Sequence, residues 1–326
     1  MPEPSRGAGP AAGTPGGGPA GTEILEGLFF IERGYLSGNH FACRSPAPVL
    51  IDTAYASEIP KTLAGLDALG VPWRQTRLII STHAHCDHVG ANRAIQGASG
   101  CEIALHAAGK AFLDAGDRRG PWWDYYHQEA APFACTRALE DGEEIPVGPH
   151  RFRLLHTPGH AADGIVLYEP HAKVLLSSDT LWERDIPVIT EAVEGDGALD
   201  ALLGSLERLE ALEVRRVFPG HGRPFSDMRG ALARARARLA AYGADRRRVG
   251  EDLVKRILVY TLLMRGDFAE EELLPHLLGT AWFPDTVVRY FGPGRERETY
   301  RETVGALQRR GALRREGGRI LTTVRP

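Results

Sequence analysis

Lysine is scarce in this chain: of 39 basic residues only four are lysine, a bias better explained by a GC-rich coding sequence than by function. Cysteine is scarce as well. Cys43, Cys86, Cys101 and Cys135 share no CxxC spacing and form no dense framework, which suits a reduced, cytoplasmic setting. An excess of charge is also missing. A net charge of −3 over 326 residues gives no whole-chain argument for nucleic acid or for an acidic partner. No run is long and apolar enough to span a bilayer, and the start, MPEPSRGAGPAAGTPGGGPAG, has neither the basic opening nor the apolar centre of a secretory signal. Residues 1–21 therefore read as a disordered tail.

What remains is ample for a core. Apolar residues make up 43% of the chain, and the length suits one large domain with a smaller one. After the tail, strand and helix patterns alternate. LFFI, VLIDT, RLIIS and EIALH form a first strand-rich half, with an amphipathic helix near SEIPKTLAGLDALG. HRFRLLH, GIVLYEP, KVLLSSD and RRVFPG form a second, with the helix ALDALLGSLERLEAL before its last strand. Two sheet-rich halves with helices outside them predict a four-layered α/β arrangement. From about residue 229 the texture turns helical. An Arg-rich helix from Met228 leads to further helices, a glycine turn and a short hairpin, in the order of a winged helix. The expected division is thus a tail over 1–21, a catalytic domain over 22–228 and a C-terminal domain over 229–326.

The stretch THAHCDHVG, Thr82 to Gly90, carries the chemistry. It follows the buried-type strand RLIIS, at the strand end where α/β sheets bind ligands. Alternation in extended backbone lets His83 and His85 face one point, and Asp87 and His88 can reach it as the chain turns into a helix. Three imidazoles and a carboxylate suit zinc, with iron and manganese as less selective matches. Cys86 lies between two of these residues, but the same alternation turns it away. Three further strand ends offer donors in glycine-rich or polar turns: His160 in HTPGH, Asp179 in SSDTLW and His221 in FPGHG. Each is weak alone. Their common position after strands makes coincidence improbable.

HAHCDH, TPGH, SSD and PGHG, in that order, resemble the metallo-β-lactamase superfamily over roughly residues 23 to 230. The resemblance implies an αββα sandwich with two metal ions at one edge. His83, His85 and His160 would hold the first, Asp87, His88 and His221 the second, and Asp179 would bridge them. Among members the texture is similar to glyoxalase II, with a helical, winged-helix-like extension. The implied activity is a dimetal, zinc-type hydrolase that uses a bridging hydroxide to cleave a small thioester, lactone or other ester, with Asp87 able to pass a proton to the leaving group. An endoribonuclease of the same superfamily and a mononuclear iron persulfide dioxygenase are the alternatives. A small-molecule substrate is the expected partner and a membrane is not; nucleic acid and a second copy stay open.

Three departures bear on the site. Ser178 stands where relatives carry glycine before the aspartate. Asp52, in LIDTA, is expected to orient a ligand. The aromatic segment from Gly120 to Phe133 is read either as a flap over the metals or as packing, and Trp182, Arg184 and Ile186 are further pocket candidates. His106, His127 and His156 lack motif partners and read as structural.

Overall fold

A computed structural model describes residues 21–45 and 47–325. The tail expected over 1–21 falls outside these up to residue 20. Seven strands form the first sheet in sequence order: β1 (Gly21–Leu25), β2 (Leu28–Ile31), β3 (His40–Cys43), β4 (Val49–Ile51), β5 (Leu78–Ile80), β6 (Glu102–His106) and β7 (Arg137–Leu139). Pairing is antiparallel up to β4 and parallel from β4 to β7. The second sheet contains β8 (Glu144–Val147), β9 (His150–His156), β10 (Ile165–Glu169), β11 (Val174–Ser178) and β12 (Arg216–Pro219), in the order β12-β11-β10-β9-β8. A small third sheet joins β13 (Asp267–Ala269), β14 (Leu313–Glu316) and β15 (Arg319–Thr322).

Side-chain alternation explains the layering. Phe30, Phe41, Ile51 and Ile80 of the first sheet meet Phe152, Leu154, Leu167 and Leu176 of the second in a shared core between the sheets. Their strand neighbours point the other way. Leu50 and Ile79 pack beneath the helices Ile59–Ala68 and Asn92–Ser99, while Val166 and Leu175 pack beneath Ala198–Glu210 and Met228–Ala244. Strands covered on both faces read as continuous apolar runs, as RLIIS and KVLLS do. Truncating such a residue, Ile79→Ala for example, costs about 2–5 kcal/mol. The arrangement is the expected α/β sandwich of four layers, helix, sheet, sheet, helix, followed by a helical C-terminal region.

That region contains the helices Arg247–Arg265, Glu270–Leu278, Trp282–Tyr290 and Glu296–Arg309, with the hairpin of β14 and β15 at its end. The Arg-rich stretch from Met228 to Val249, which composition alone reads as one helix, is divided between two. The first stops at Ala244, because Asp245 is extended and its carboxylate accepts the Arg247 N–H at 3.2 Å, starting a new helix. The aromatic segment resolves mainly as packing. Trp122, Tyr125 and Tyr126 are buried against the C-terminal helices, and Trp123 and Phe133 join the core of the first sheet.

Candidate metal centre

All seven sequence-derived donors meet at one edge of the sandwich, each carried there by a strand end. His83, His85, Asp87 and His88 follow β5, His160 follows β9, Asp179 follows β11 and His221 follows β12. The chain leaves β5 by bends rather than by continued strand, and the single turn Cys86–Val89 precedes the helix Asn92–Ser99. The rings of His83 and His85 still stand 4.4 Å apart, and His83 and His88 4.1 Å apart. Three donor groups have ligand atoms within 4.8 Å of one another: His83, His85 and His160; His83, His88 and Asp179; Asp87, His88 and His221.

Two features of this cluster fit a divalent cation. The Nε2 atoms of His83, His85, His88 and His160 are buried without any hydrogen-bond partner, a costly arrangement unless something else fills the space between them. Asp179 Oδ2 lies 3.5 Å from His160 Nε2 and 3.7 Å from the Nε2 of both His88 and His221. Such distances are too long for hydrogen bonds. They match the ~3.4 Å between two ligands that each sit ~2.1 Å from one tetrahedral ion.

Neighbours fix the rings. Asp52 Oδ2 accepts from His88 Nδ1 at 2.8 Å, and Val188 O accepts from His160 Nδ1 at 2.7 Å, which turns both Nε2 atoms toward the cluster. Asp52 thus orients a donor as expected, and it also accepts the Thr82 N–H and hydroxyl at 2.7 and 2.8 Å. Ser178 adopts a left-handed φ of 44° despite its Cβ, and its hydroxyl meets that of Thr82 at 2.7 Å. Gly220 is needed for close approach, since a Cβ there would fall 2.0 Å from Asp179 Oδ1. Cys86 is turned out of the cluster, with its sulfur 3.6 Å from the Tyr260 hydroxyl.

Charge follows the same geometry. Burial, reinforced by neighbouring imidazoles, holds His83 and His85 well below the ordinary histidine pKa, so they are neutral as metal binding demands. Burial opposes charge on His88, but the carboxylates of Asp52, Asp87 and Asp179 outweigh it and raise its pKa well above the usual value. Burial would raise the Asp179 carboxyl; His221, His88 and His160 overcome this and hold it far down.

A pocket opens over the cluster. From the aromatic segment Trp122 and Gln128 line it, Trp122 at 3.8 Å from the His85 ring, beside Tyr35, Trp182, Val188, Ile257 and Tyr260. Trp182 is therefore a wall residue. Arg184 is exposed beside Glu183, and Ile186 is buried in the core beneath the second sheet. Tyr35, Gln128, Ile257 and Tyr260 carry no motif that marks them in the sequence. His106 and His156 stack on each other at 3.8 Å, outside these donor groups.

Fold and donor arrangement together are those of a metal-binding αββα protein. The Metallo-beta-lactamase superfamily model matches residues 47–221, more than half of the chain, and the chain belongs to that superfamily. Acyl-coenzyme A thioesterase MBLAC2 of Gallus gallus is 26% identical over 222 residues, which cover 60% of this chain and 77% of that protein. Hydroxyacylglutathione hydrolase of Methylococcus capsulatus is 33% identical over 179 residues, 54% of this chain and 58% of that one. The chain thus spans less than two thirds of the hydroxyacylglutathione hydrolases it matches. Among solved structures, a metallo-beta-lactamase family protein from Thermus thermophilus aligns over 92% of this chain and all of its own, at 24% identity and a TM-score of 0.59. Rm3 metallo-beta-lactamase aligns over 68% of this chain and 93% of its own, at 21% identity and a TM-score of 0.56. Likeness at these identities concerns the fold.

Proposed function

We propose that this chain is a dimetal hydrolase of small thioesters or related esters, with zinc as its metal. The observation that carries the reading is the set of four buried, unpartnered imidazole nitrogens around the Asp179 carboxylate. His83, His85 and His160 would hold one ion, Asp87, His88 and His221 the other, and Asp179 would be shared. Two divalent cations so held would lower the pKa of a bound water and offset negative charge on a carbonyl oxygen. The chain's own residues do the rest. Asp52 and Val188 O keep two imidazoles aimed inward. Asp87 lines the pocket, and besides serving the second ion its carboxylate would relay a proton to the departing thiolate or alkoxide. Trp122 and Trp182 keep bulk water from the reacting carbonyl.

The names of the relatives favour thioesters, since one is a thioesterase acting on acyl-coenzyme A and another a hydrolase of hydroxyacylglutathione. The donor set that includes Asp87, His88 and His221 favours two ions over the single iron of a dioxygenase. A phosphodiester is disfavoured, because among the described residues no lysine or arginine lines the pocket. The C-terminal region, read as winged-helix-like, then serves the pocket rather than nucleic acid. Metal-quantified protein assayed against thioesters, lactones, phosphodiesters and RNA tests this reading. Turnover of thioesters with about two zinc ions bound is expected; cleavage of RNA alone, or one iron per chain, would refute it.

A further inference from the structure

Asp52 and the Val188 carbonyl orient two of the imidazoles from behind, but His221 has no such support. Its Nδ1 is buried without a hydrogen-bond partner among the described residues, so the backbone of the turn over residues 219–222 must set where the ring points. One residue from the first sheet holds that turn. Asn39, buried just before β3, donates Nδ2–H to the Pro219 and Gly222 carbonyls, each at 2.9 Å, and its backbone N–H to the Gly220 carbonyl at 2.6 Å. Carbonyls on both sides of His221 thus accept from a single residue. Asn39 Oδ1 accepts the Arg33 N–H at 2.7 Å, so both polar atoms of the amide are engaged. The preceding residue serves the same cluster. Gly38 donates its N–H to the Asp87 carbonyl at 3.0 Å and lies against the His88 ring, where a Cβ would fall 2.6 Å from Cε1. Residues 38 and 39 therefore meet the parts of the chain that carry Asp87, His88 and His221, the three donors of one group. None of these hydrogen bonds is made to His83, His85 or His160.

Resting on the dimetal reading above, we infer that Asn39 is a positioning residue for the ion of Asp87, His88 and His221: it fastens the His221 turn of the second sheet to the first-sheet edge that carries the other two donors. His221 Nε2 lies 3.1 Å from Asp87 Oδ2, and that closeness depends on the turn staying where Asn39 holds it. Removing the amide leaves the Pro219 and Gly222 carbonyls without their donor. A turn released to find other donors carries His221 out of reach of Asp87, while His83, His85 and His160 stay in place.

The test is zinc titration of the metal-free, full-length protein and of two variants. Asn39→Asp keeps the shape and the Arg33 acceptor but turns a carboxylate oxygen on the two carbonyls; Asn39→Ser shortens the side chain so that it no longer reaches them. Histidine-ring NMR during the titration assigns each binding step to its imidazoles. In both variants the step seen at His88 and His221 should weaken about 10–100-fold, and the step seen at His83, His85 and His160 should stay within about threefold. A general loss of structure would weaken both steps alike. Both steps unchanged, both weakened equally, or only the first weakened overturns the inference. If neither variant folds cooperatively, the native chain decides: the Asn39 side-chain NH₂ should be protected from solvent exchange in the metal-free protein, and exchange at the rate of a free amide overturns it. Two ions bound with no thioester turnover sinks the hydrolase reading alone. A native chain that takes up one ion only sinks the dimetal reading, and the inference with it.

Discussion

Asp52→Asn alters the support of the metal cluster without removing a proposed ligand. In the native chain, Asp52 Oδ1 accepts the Thr82 N–H at 2.7 Å, and Oδ2 accepts both the Thr82 hydroxyl and His88 Nδ1–H at 2.8 Å. The residue has φ 59° and is buried. Asparagine tolerates that left-handed conformation, so the backbone should stay in place. An amide has only one oxygen, however. Either the Thr82 N–H or the His88 ring then faces an NH₂ group, and a buried donor left unsatisfied costs about 1–3 kcal/mol. That range agrees with the 10–100-fold loss of metal affinity typical of changes behind a ligand, roughly 1.4–2.7 kcal/mol. The loss should fall on the ion held by Asp87, His88 and His221, with the His83, His85 and His160 group less affected. Zinc titration against a chelating indicator resolves the two binding steps, and circular dichroism checks the fold. Two steps unchanged within about twofold would refute the role given to Asp52.

Gly220→Ala should displace the Asp179 carboxylate, because the added Cβ would sit 2.0 Å from Oδ1; metal content should fall while the far-ultraviolet spectrum persists, and full metal loading would contradict this. Arg256→Met removes the cation shared by Asp185 and Asp252 and frees the Ile186 carbonyl. The carboxylate partners reach solvent, so the main loss is the donor to the buried Ile186 carbonyl, about 1–3 kcal/mol; a drop in melting temperature is expected, and an unchanged Tm would show that the loop after β11 holds itself. Burial pushes the Asp163 carboxyl up to about 7. A pKa raised on folding gives stability that is complete below the unfolded value of about 4 and is lost as pH climbs through 7. Asp163→Asn should therefore flatten the fall in Tm of the metal-free protein between pH 5 and 8, and an identical slope would remove Asp163 from the account. Gly21, placed in the expected tail, is the first residue of β1 and pairs with Ile31, so the deletion to make is residues 1–20; it should leave Tm within a degree or two, and a large drop would show that the tail packs.

The candidate donors His83, His85, Asp87, His88, His160, Asp179 and His221 stood out because each follows an apolar strand, while their grouping into two ligand sets came from the family resemblance; the structure brings their ligand atoms together. The sandwich was legible for a related reason. Strands buried on both faces are written as apolar runs, and Leu50, Ile79, Val166 and Leu175 bear this out. What sequence could not give depends on contacts between distant elements. Tyr260 meets the Leu36 carbonyl across 224 positions, and no local pattern marks Ile257 as a pocket wall. The Val188 support of His160 was hidden too, because a carbonyl acceptor leaves no trace in side-chain identity. Trp122 was half legible. Its segment was plainly aromatic, but only folding shows that Trp122, besides packing on the C-terminal helices with Tyr125 and Tyr126, also stands beside His85.

The most direct measurement is anomalous diffraction at the zinc edge from crystals of the zinc-loaded protein. Two peaks about 3.5–4 Å apart are predicted, one among His83, His85 and His160, the other among Asp87, His88 and His221, with Asp179 between them. A single peak, or zinc bound only elsewhere on the chain, would contradict the account.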